Sequence, residues 1–314
     1  MQLHRFLIHM SYVMRNYSYE EDLHSAQKFL WEIFKLSGKH YASVPTRLEN
    51  ERHGPCGSEE EREDDSKLRI WEYIDDNDAK MVAVTVLEPN GIFWINVHPE
   101  HQELFRKIIP AIEEQRKSSN KDNKELKIGI PVPVGFESLI NILKEFGFED
   151  GGLCEHNQVL PLDSPPPDFQ PPEGYIVRHV KLPEDFEPYS EVVNTVFSHC
   201  HMTEKLAMLY TEAGFYNDEL DLIVEAPDGS FASFVTVRID PITKMAELEP
   251  VGTHPDHRGK GLAKAVCAEG IRRVQKYNPS CIVILGAAST DAAARLYSSL
   301  GFIKEDVHLW KKVI

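Results

Sequence analysis

Residues 245–263 read MAELEPVGTHPDHRGKGLA, and the rest of the chain is organised around this stretch. Its pattern predicts a strand, a short crossing loop that follows Gly252, and the first turn of a helix. A glycine-rich turn at the start of a helix lets backbone N–H groups approach a phosphate, and the helix dipole adds about half a positive charge there. Arg258 and Lys260 add side-chain charge. The stretch therefore predicts a turn that binds a diphosphate.

Two common phosphate loops do not fit this stretch. A Walker loop requires a glycine at the position of His254, and the dinucleotide fingerprint requires one at Lys264. The pattern that fits is Arg-x-x-Gly-x-Ala, formed by Arg258, Gly261 and Ala263. Taken alone, the same residues also suit a surface turn before an amphipathic helix.

The Arg-x-x-Gly-x-Ala pattern resembles the acyl-CoA pyrophosphate loop of the GNAT N-acetyltransferases, which follows a bulged strand. Residues 290–302, TDAAARLYSSLGF, resemble that family's second motif, Asn-x-x-Ala-x-x-Leu-Tyr-x-x-x-Gly-Phe, with Thr290 in place of the asparagine. The resemblance covers residues 174–314. It implies an α/β fold, with a mixed and mostly antiparallel sheet flanked by helices. It also implies acetyl-CoA as the cosubstrate, with no metal.

The composition limits the function classes. The 314 residues include 34 Lys and Arg and 50 Asp and Glu, a formal net charge of −16, which argues against a nucleic-acid partner or an anionic membrane. No apolar run approaches the roughly 20 residues that span a bilayer. The chain start lacks a secretory cleavage pattern. Five cysteines without a Cys-x-x-Cys pair suggest no disulfide framework. We therefore expect a cytoplasmic protein.

The chain contains an internal duplication. VHPEH at 97–101 matches THPDH at 253–257, and LKEFGF at 143–148 matches YSSLGF at 297–302, at offsets of 156 and 154 residues. Five prolines in residues 163–173 predict a linker. We expect two tandem GNAT-like domains, a degenerate one over 1–162 and a catalytic one over 174–314.

The first copy lacks the features of the predicted phosphate turn. Leu104 and Phe105 stand opposite Lys260 and Gly261, and Leu143 stands opposite Tyr297. We therefore predict that only the second copy binds CoA. Elsewhere, residues 19–37 predict an amphipathic helix, residues 1–8 a strand, and the charged run 58–66 a solvated loop or disordered segment.

The resemblance assigns cofactor contacts within the second copy. The strand over 247–253 is expected to separate from its parallel neighbour over 281–287, so that the pantetheine can pair with the backbone of Val251 and Thr253. Residues 258–263 are expected to hold the pyrophosphate. The predicted cofactor-binding residues are Val251, Gly252, Thr253, Arg258, Gly259, Lys260, Gly261, Leu262, Ala263 and Thr290.

Two residues are the catalytic candidates. Glu247 lies six residues before Thr253, where the family often carries a catalytic carboxylate, and is the predicted base. Glu249 shares its face of the strand, and paired carboxylates can raise one another's pKa. Both could instead bind a cationic substrate or lie at a solvated strand edge. Tyr297 is the predicted acid, since a phenol with a pKa of about 10 can donate to a thiolate; the alternative is a packed aromatic residue.

The predicted function is transfer of an acetyl group from acetyl-CoA to a primary amine of a small molecule or peptide, directly within a ternary complex. The carboxylate pair suggests a cationic acceptor. Two alternatives remain open: an acyl-CoA-binding module without catalysis, and an acyltransferase with a longer acyl chain or a hydroxyl acceptor. We interpret His199, Cys200 and His201 as the border of the acceptor pocket, and His254 and His257 as structural.

Overall fold

The computed structural model describes residues 11–37, 43–55, 58–75, 78–88, 90–118, 126–163, 165–198 and 200–314. The strand predicted over 1–8 and the side chain of His199 lie outside these ranges. The described helices are α1 (Tyr19–Ser37), α2 (Pro45–His53), α3 (Glu59–Glu63), α4 (Phe105–Ser118), α5 (Glu137–Glu145), α6 (Phe186–Val196), α7 (Glu204–Thr211), α8 (Leu262–Val274) and α9 (Asp291–Ser299).

Twelve strands accompany these helices among the described residues. They are β1 (Ser11–Asn16), β2 (Leu68–Asp75), β3 (Asp78–Leu87), β4 (Phe93–Val97), β5 (Lys127–Pro133), β6 (Glu149–Leu160), β7 (Ile176–His179), β8 (Asp221–Glu225), β9 (Phe231–Ile239), β10 (Met245–Thr253), β11 (Cys281–Ala288) and β12 (Ile303–Val313). None of the described helices is long and apolar enough to cross a membrane.

The chain forms two compact units, each of which is made of separate segments of the sequence. The first unit contains Met1–Ser43, Asp65–Cys154 and Val307–Ile314, and the second contains Val44–Asp64 and Glu155–Asp306. Helices α2 and α3, which come early in the sequence, therefore pack in the second unit. The tandem domain boundaries expected from the sequence remain a proposal.

The first unit contains the antiparallel sheet β1-β2-β3-β4, together with β5 paired to the end of β12. Helix α1 occupies the residues predicted for it, because Leu23, Ala26, Leu30 and Ile33 recur at helical spacing and are all buried. The residues opposite the phosphate turn of the other copy are core residues here: Leu104 and Phe105 are 0% and 1% exposed.

The second unit is built on the strand order β6-β11-β10-β9-β8-β7. Neighbours are antiparallel except β10 and β11, which run parallel. Helix α8 buries Leu262, Val266 and Ile271 against apolar side chains of this sheet. Apolar burial on one face of the helix therefore orients its first turn relative to the end of β10.

The acidic run over 58–66 differs from its prediction. Residues 59–63 form the short helix α3, where the run of charges predicted a solvated loop or disordered segment. The reason is local: the Ser58 hydroxyl accepts a bond from the Glu61 amide at 3.1 Å, and the Glu61 carboxylate accepts one from the Ser58 amide at 2.8 Å. This reciprocal capping box stabilises a helix start even in a highly charged segment.

The cysteines also depart in one respect from expectation. Cys267 and Cys281 are free thiols, and the thiol of Cys154 donates to the Val307 carbonyl at 3.3 Å. Cys200 is disulfide-bonded, although the cysteine pattern predicted no disulfide framework. Cysteine pairing depends on spatial proximity and geometry, which the number and spacing of cysteines in a sequence do not specify.

Both units repeat the same polar network. In each, an arginine on the first strand binds an aspartate seven residues later and a glutamate on the next strand: Arg15 with Asp22 and Glu72, and Arg178 with Asp185 and Glu225. The Nε–glutamate distances are 2.9 Å and 2.6 Å. Identical networks at equivalent positions support the proposed duplication.

The matching histidine motifs also adopt one geometry. The Nδ1 atoms of His98 and His254 each accept a bond from the amide two residues later, at 3.3 Å in both units. His101 and His257 each lie beside a tyrosine hydroxyl, at 2.9 Å from Tyr12 and 3.2 Å from Tyr175 respectively. The structural interpretation of these histidines therefore agrees with their contacts.

Candidate active site

A cavity of about 680 Å³ lies in the second unit, where β10 and β11 meet the start of α8 and the face of α9. Nine of the ten predicted cofactor-binding residues line it: Val251, Gly252, Thr253, Arg258, Gly259, Gly261, Leu262, Ala263 and Thr290. Lys260 does not, because its ammonium group donates to the Tyr175 hydroxyl at 3.0 Å. The cavity therefore brings together the separate segments that the motifs singled out.

The separation of β10 from β11 opens this cavity. The parallel ladder between them ends at the pair Glu247 and Val283, as the sequence analysis expected of these strands. Against β9, β10 shifts register between Leu248 and Val251. A β-bulge of this kind bends a strand and interrupts its pairing. The backbone beyond the bulge is therefore available for a ligand that adds as a strand.

The side chains of Phe234 and Val196 approach β10 so closely at this bulge that position 252 requires a glycine. A Cβ atom there would lie 2.4 Å from Cζ of Phe234 and 2.9 Å from Cγ1 of Val196. Phe234 is fully buried and cannot move aside without disturbing the core. The glycine thus lets β10 continue over a packed aromatic ring.

The first turn of α8 provides the anion-binding end of the cavity. Gly261 precedes the helix with a φ of 78°, in the left-handed region that favours glycine. The first N–H groups of a helix have no acceptor within the helix, and they point toward its start. Arg258 lies beside this turn, with its Nε 3.3 Å from the Thr253 carbonyl. Backbone donors and a cation therefore converge where a diphosphate would bind.

Glu247, the predicted base, is completely buried beneath the cavity and does not line it. Its carboxylate accepts a bond from the Thr46 hydroxyl at 2.8 Å and one from Nε of Arg47 at 2.9 Å. Arg238 lies 3.8 Å away. Burial by itself would raise the pKa of Glu247, but the two guanidinium groups and the Thr46 bond bring that pKa below its ordinary value. Such a carboxylate is a weak proton acceptor.

Glu249 differs from Glu247 in each of these respects. It is half-buried and lines the cavity. Burial raises its pKa, the charge of Glu247 adds to that rise, and Arg47 and Arg238 offset it in part. A carboxylate with a raised pKa at a cavity wall is suited to accept a proton near neutral pH.

Tyr297, the predicted acid, also lines the cavity. Its side chain is 7% exposed, and its ring packs edge-on against Phe302 with centroids 6.0 Å apart. Burial raises its pKa well above the ordinary value, with the charge of Glu249 adding to the rise. The phenol is therefore protonated at neutral pH and can donate a hydrogen bond, while the raised pKa makes it a weaker acid than an ordinary tyrosine.

No pattern in the sequence predicted Thr46, Arg47 or Arg238 as site residues. Arg47 comes about 200 residues before its partner Glu247, and no motif in α2 marks it. The one available signal was indirect: a glutamate inside a buried strand needs a cationic partner. The sequence does not say which cation this is. Among the described residues, no group of three or more His, Cys, Asp or Glu side chains could hold a metal ion.

Comparison with known proteins points to one family. Residues 182–302 match the model of the Acetyltransferase (GNAT) family. The mycothiol acetyltransferase of Paenarthrobacter aurescens (strain TC1) is 23% identical over 263 residues, which cover 77% of this chain and 79% of that protein. The mycothiol acetyltransferase of Pseudarthrobacter chlorophenolicus is also 23% identical, over 269 residues, or 78% of this chain and 80% of that protein.

Solved structures share the fold over nearly the whole chain. A GCN5-related N-acetyltransferase from Sphaerobacter thermophilus has a TM-score of 0.65 and 18% identity, covering 96% of this chain and 95% of the other. A tandem GNAT protein from the clavulanic acid biosynthesis pathway has a TM-score of 0.63 and 14% identity, covering 97% and 98%. These similarities confirm the fold class predicted from the sequence.

Proposed function

We propose that this chain, whose residues 182–302 match the model of the GNAT acetyltransferase family, transfers the acetyl group of acetyl-CoA directly to a primary amine within a ternary complex. One observation carries the proposal. Glu249 and Tyr297, a base candidate and an acid candidate, line the same cavity as the first turn of α8. Holding, deprotonation and leaving-group protonation can therefore occur in one place.

The residues present suit acetyl-CoA. The helix start at Gly261 and the side chain of Arg258 offer donors for a pyrophosphate. Beyond the bulge, the backbone of Val251 and Thr253 can pair with the amides of the pantetheine arm. When bound, acetyl-CoA supplies the thioester carbonyl that the amine attacks. A backbone N–H at Val251 is suited to donate to the carbonyl oxygen, on which negative charge develops.

The proton transfers are assigned from burial and charge. A free alkyl amine has a pKa of roughly 10, so a base must accept its proton for attack at neutral pH. Glu247 remains the base predicted from sequence, but its bonds to Thr46 and Arg47 and its lowered pKa favour Glu249 for this role. Tyr297 would protonate the departing thiolate, and the proton that Glu249 accepted from the amine would then be returned to Tyr297. In the net reaction one N–H bond is exchanged for one S–H bond.

The acceptor is proposed as a small molecule or peptide with a free primary amine. The sequence suggested a cationic acceptor because Glu247 and Glu249 are paired. In the structure Arg47 and Arg238 act electrostatically on both carboxylates, which weakens that argument. The acceptor of the mycothiol acetyltransferases is a reasonable first compound, since two relatives with about four-fifths coverage carry that name.

The test is a thiol-release assay on the full-length chain with acetyl-CoA and a panel of primary amines, with the product identified by mass spectrometry. Gly259→Ala and Gly229→Ala form a matched pair of variants. Both glycines have a positive φ, 78° and 86°, and a Cβ on either would meet no atom within 4 Å. Only Gly259 lines the cavity. We expect Gly259→Ala to weaken CoA binding and transfer, and Gly229→Ala to affect neither. Binding of CoA without transfer to any amine would contradict the proposal.

A further inference from the structure

Helix α2 has no role so far in the proposed acetyl transfer. It comes from the amino-terminal part of the sequence but packs within the second unit. Thr46, Leu48 and Glu49 are buried on it, at 1%, 2% and 7% exposure. The Glu49 carboxylate accepts a bond from the Gly214 amide at 2.6 Å, which anchors the helix. An anchored helix can hold a neighbouring side chain in a defined place.

That side chain is Arg47. Its Nε donates to the Glu247 carboxylate of β10 at 2.9 Å, and its Nη2 donates to the Leu285 carbonyl of β11 at 2.8 Å. A single planar guanidinium therefore binds both strands. Such a fork has a fixed geometry, which makes it suitable for holding two groups at a set separation.

The two bonds lie on the two sides of the opening in the sheet. The ladder of β10 with β11 ends at Glu247 and Val283, and Leu285 lies beyond it. Leu285 also falls within the stretch where β11 shifts register against β6, between Ile284 and Ala287. The guanidinium thus binds β11 in a stretch where its pairing with both neighbouring strands is interrupted. Ile284, Gly286 and Ala287, next to this bond, line the cavity.

We propose that Arg47 is a positioning residue for acetyl transfer, which bridges β10 and β11 where they separate and holds the cavity wall in its competent arrangement. This inference rests on the proposed function, since the cavity it maintains is the one assigned to acetyl-CoA. It gives the early part of the sequence a direct role in the site of the second unit. It also explains why Glu247 is buried: the carboxylate is the anchor for this bridge.

Arg47 also influences the charge at the candidate base. It lowers the pKa of Glu249, together with Arg238, whereas Glu247 raises it. The charge of Glu249 in turn raises the pKa values of two tyrosines, Tyr210 and Tyr297. Removal of Arg47 therefore raises the pKa of Glu249. The acidic limb of a pH profile governed by Glu249 would move to higher pH.

The experiment compares Arg47→Ala, Arg47→Lys and a matched control, Arg178→Ala, in the full-length chain. Arg178 belongs to the same unit, is similarly exposed at 27% against 29% for Arg47, and binds two carboxylates away from the cavity. Hydrogen exchange of the peptide over 282–288 reports directly on β11. We expect exchange there to accelerate at least about tenfold in Arg47→Ala and to stay unchanged in Arg178→Ala.

Kinetics with a primary amine that the wild-type chain acetylates give the second readout. We expect Arg47→Ala to lower kcat/KM by about 100-fold, as a misplacement of about 1 Å can do. The acidic limb of its pH profile should move to higher pH, because the pKa of Glu249 rises when Arg47 is removed. Arg47→Lys should restore the limb, because it retains the charge, but not the full rate, because one ammonium lacks the planar fork.

Two results would overturn the inference: unchanged exchange over 282–288 in Arg47→Ala, or loss of activity in Arg178→Ala equal to that in Arg47→Ala. The proposed function can fail separately. If the wild-type chain acetylates no amine, that proposal is refuted, whereas the exchange measurement still decides whether Arg47 holds the strands.

Discussion

Two glutamates on β10, two residues apart, should respond in opposite ways to the same substitution. Glu247→Gln should lower thermal stability, and Glu249→Gln should lower activity with little loss of stability. The difference follows from their surroundings. Glu247 is fully buried and bonded to Thr46 and Arg47, whereas Glu249 is half-buried at the cavity wall.

The stability loss for Glu247→Gln can be worked from its contacts. Removing one partner of a buried ion pair costs about 3–5 kcal/mol, because the remaining charge is left uncompensated. Glutamine keeps one oxygen that can accept from Nε of Arg47, so we expect the lower end, about 3 kcal/mol. For a unit of this size, that corresponds to a fall in Tm of roughly 6–12 °C.

The activity loss for Glu249→Gln follows from its assigned role. A positioned general base contributes about 10²–10⁴-fold to the rate, so kcat/KM should fall by a factor in that range. Because burial raises the pKa of Glu249, its charged form is not favoured by folding. Neutral glutamine should therefore keep the free energy of unfolding within about 1 kcal/mol of wild type.

The two variants are compared by thermal unfolding and by the acetyl-transfer assay at saturating acetyl-CoA. Binding of CoA by both variants controls for an intact cavity. If Glu249→Gln keeps kcat/KM within threefold of wild type, Glu249 is not the base. If Glu247→Gln abolishes transfer while its Tm stays at the wild-type value, the argument from burial fails and Glu247 is restored as the base.

Three further predictions concern other parts of the chain. Tyr297→Phe preserves the packing of the ring but removes its hydroxyl, so kcat should fall about 10–100-fold. Calorimetry should show that the affinity for CoA is unchanged. An unchanged kcat would exclude Tyr297 as the acid. Calorimetry should also give one CoA per chain, because Leu104 and Phe105 are core residues where the other copy has its phosphate turn, and two per chain would contradict this. Burial raises the pKa of Asp221 to about 6, against bonds from Thr236, Tyr216 and Tyr189 that lower it. The folded state therefore holds a proton that the unfolded state releases between about pH 4 and 6, and stability from this group falls by about 3 kcal/mol over that window. In denaturant unfolding, the free energy of unfolding of Asp221→Asn should therefore rise by about 3 kcal/mol relative to that of wild type between pH 4 and 7. If the difference between the two proteins stays constant over this range, the raised pKa of Asp221 is refuted.

The phosphate turn could be predicted because its determinants are contiguous. Arg258, Gly261 and Ala263 lie within six residues, and a left-handed glycine before a helix is a local requirement. The turn therefore carries its own signal in the sequence. Of the ten cofactor-binding residues predicted from these motifs, Lys260 alone lies off the cavity wall, since it bonds to Tyr175 instead.

The position of the carboxylates could not be predicted in the same way. A regular strand places Glu247 and Glu249 on one face, and this pattern does not distinguish the surroundings of the two carboxylates. The register shift between Leu248 and Val251, together with the end of the ladder at Glu247, gives them different environments. Neither feature is visible in an alternation pattern.

The sequence by itself determined the fold class, the duplicated organisation as a hypothesis, and the turn that lines one end of the cavity. Only the tertiary structure decided which carboxylate is exposed to that cavity and which is neutralised. The physical reason is distance along the chain. Burying the charge of Glu247 requires a cation nearby, and that cation, Arg47, arrives on a helix about 200 residues earlier, through packing that no local pattern records.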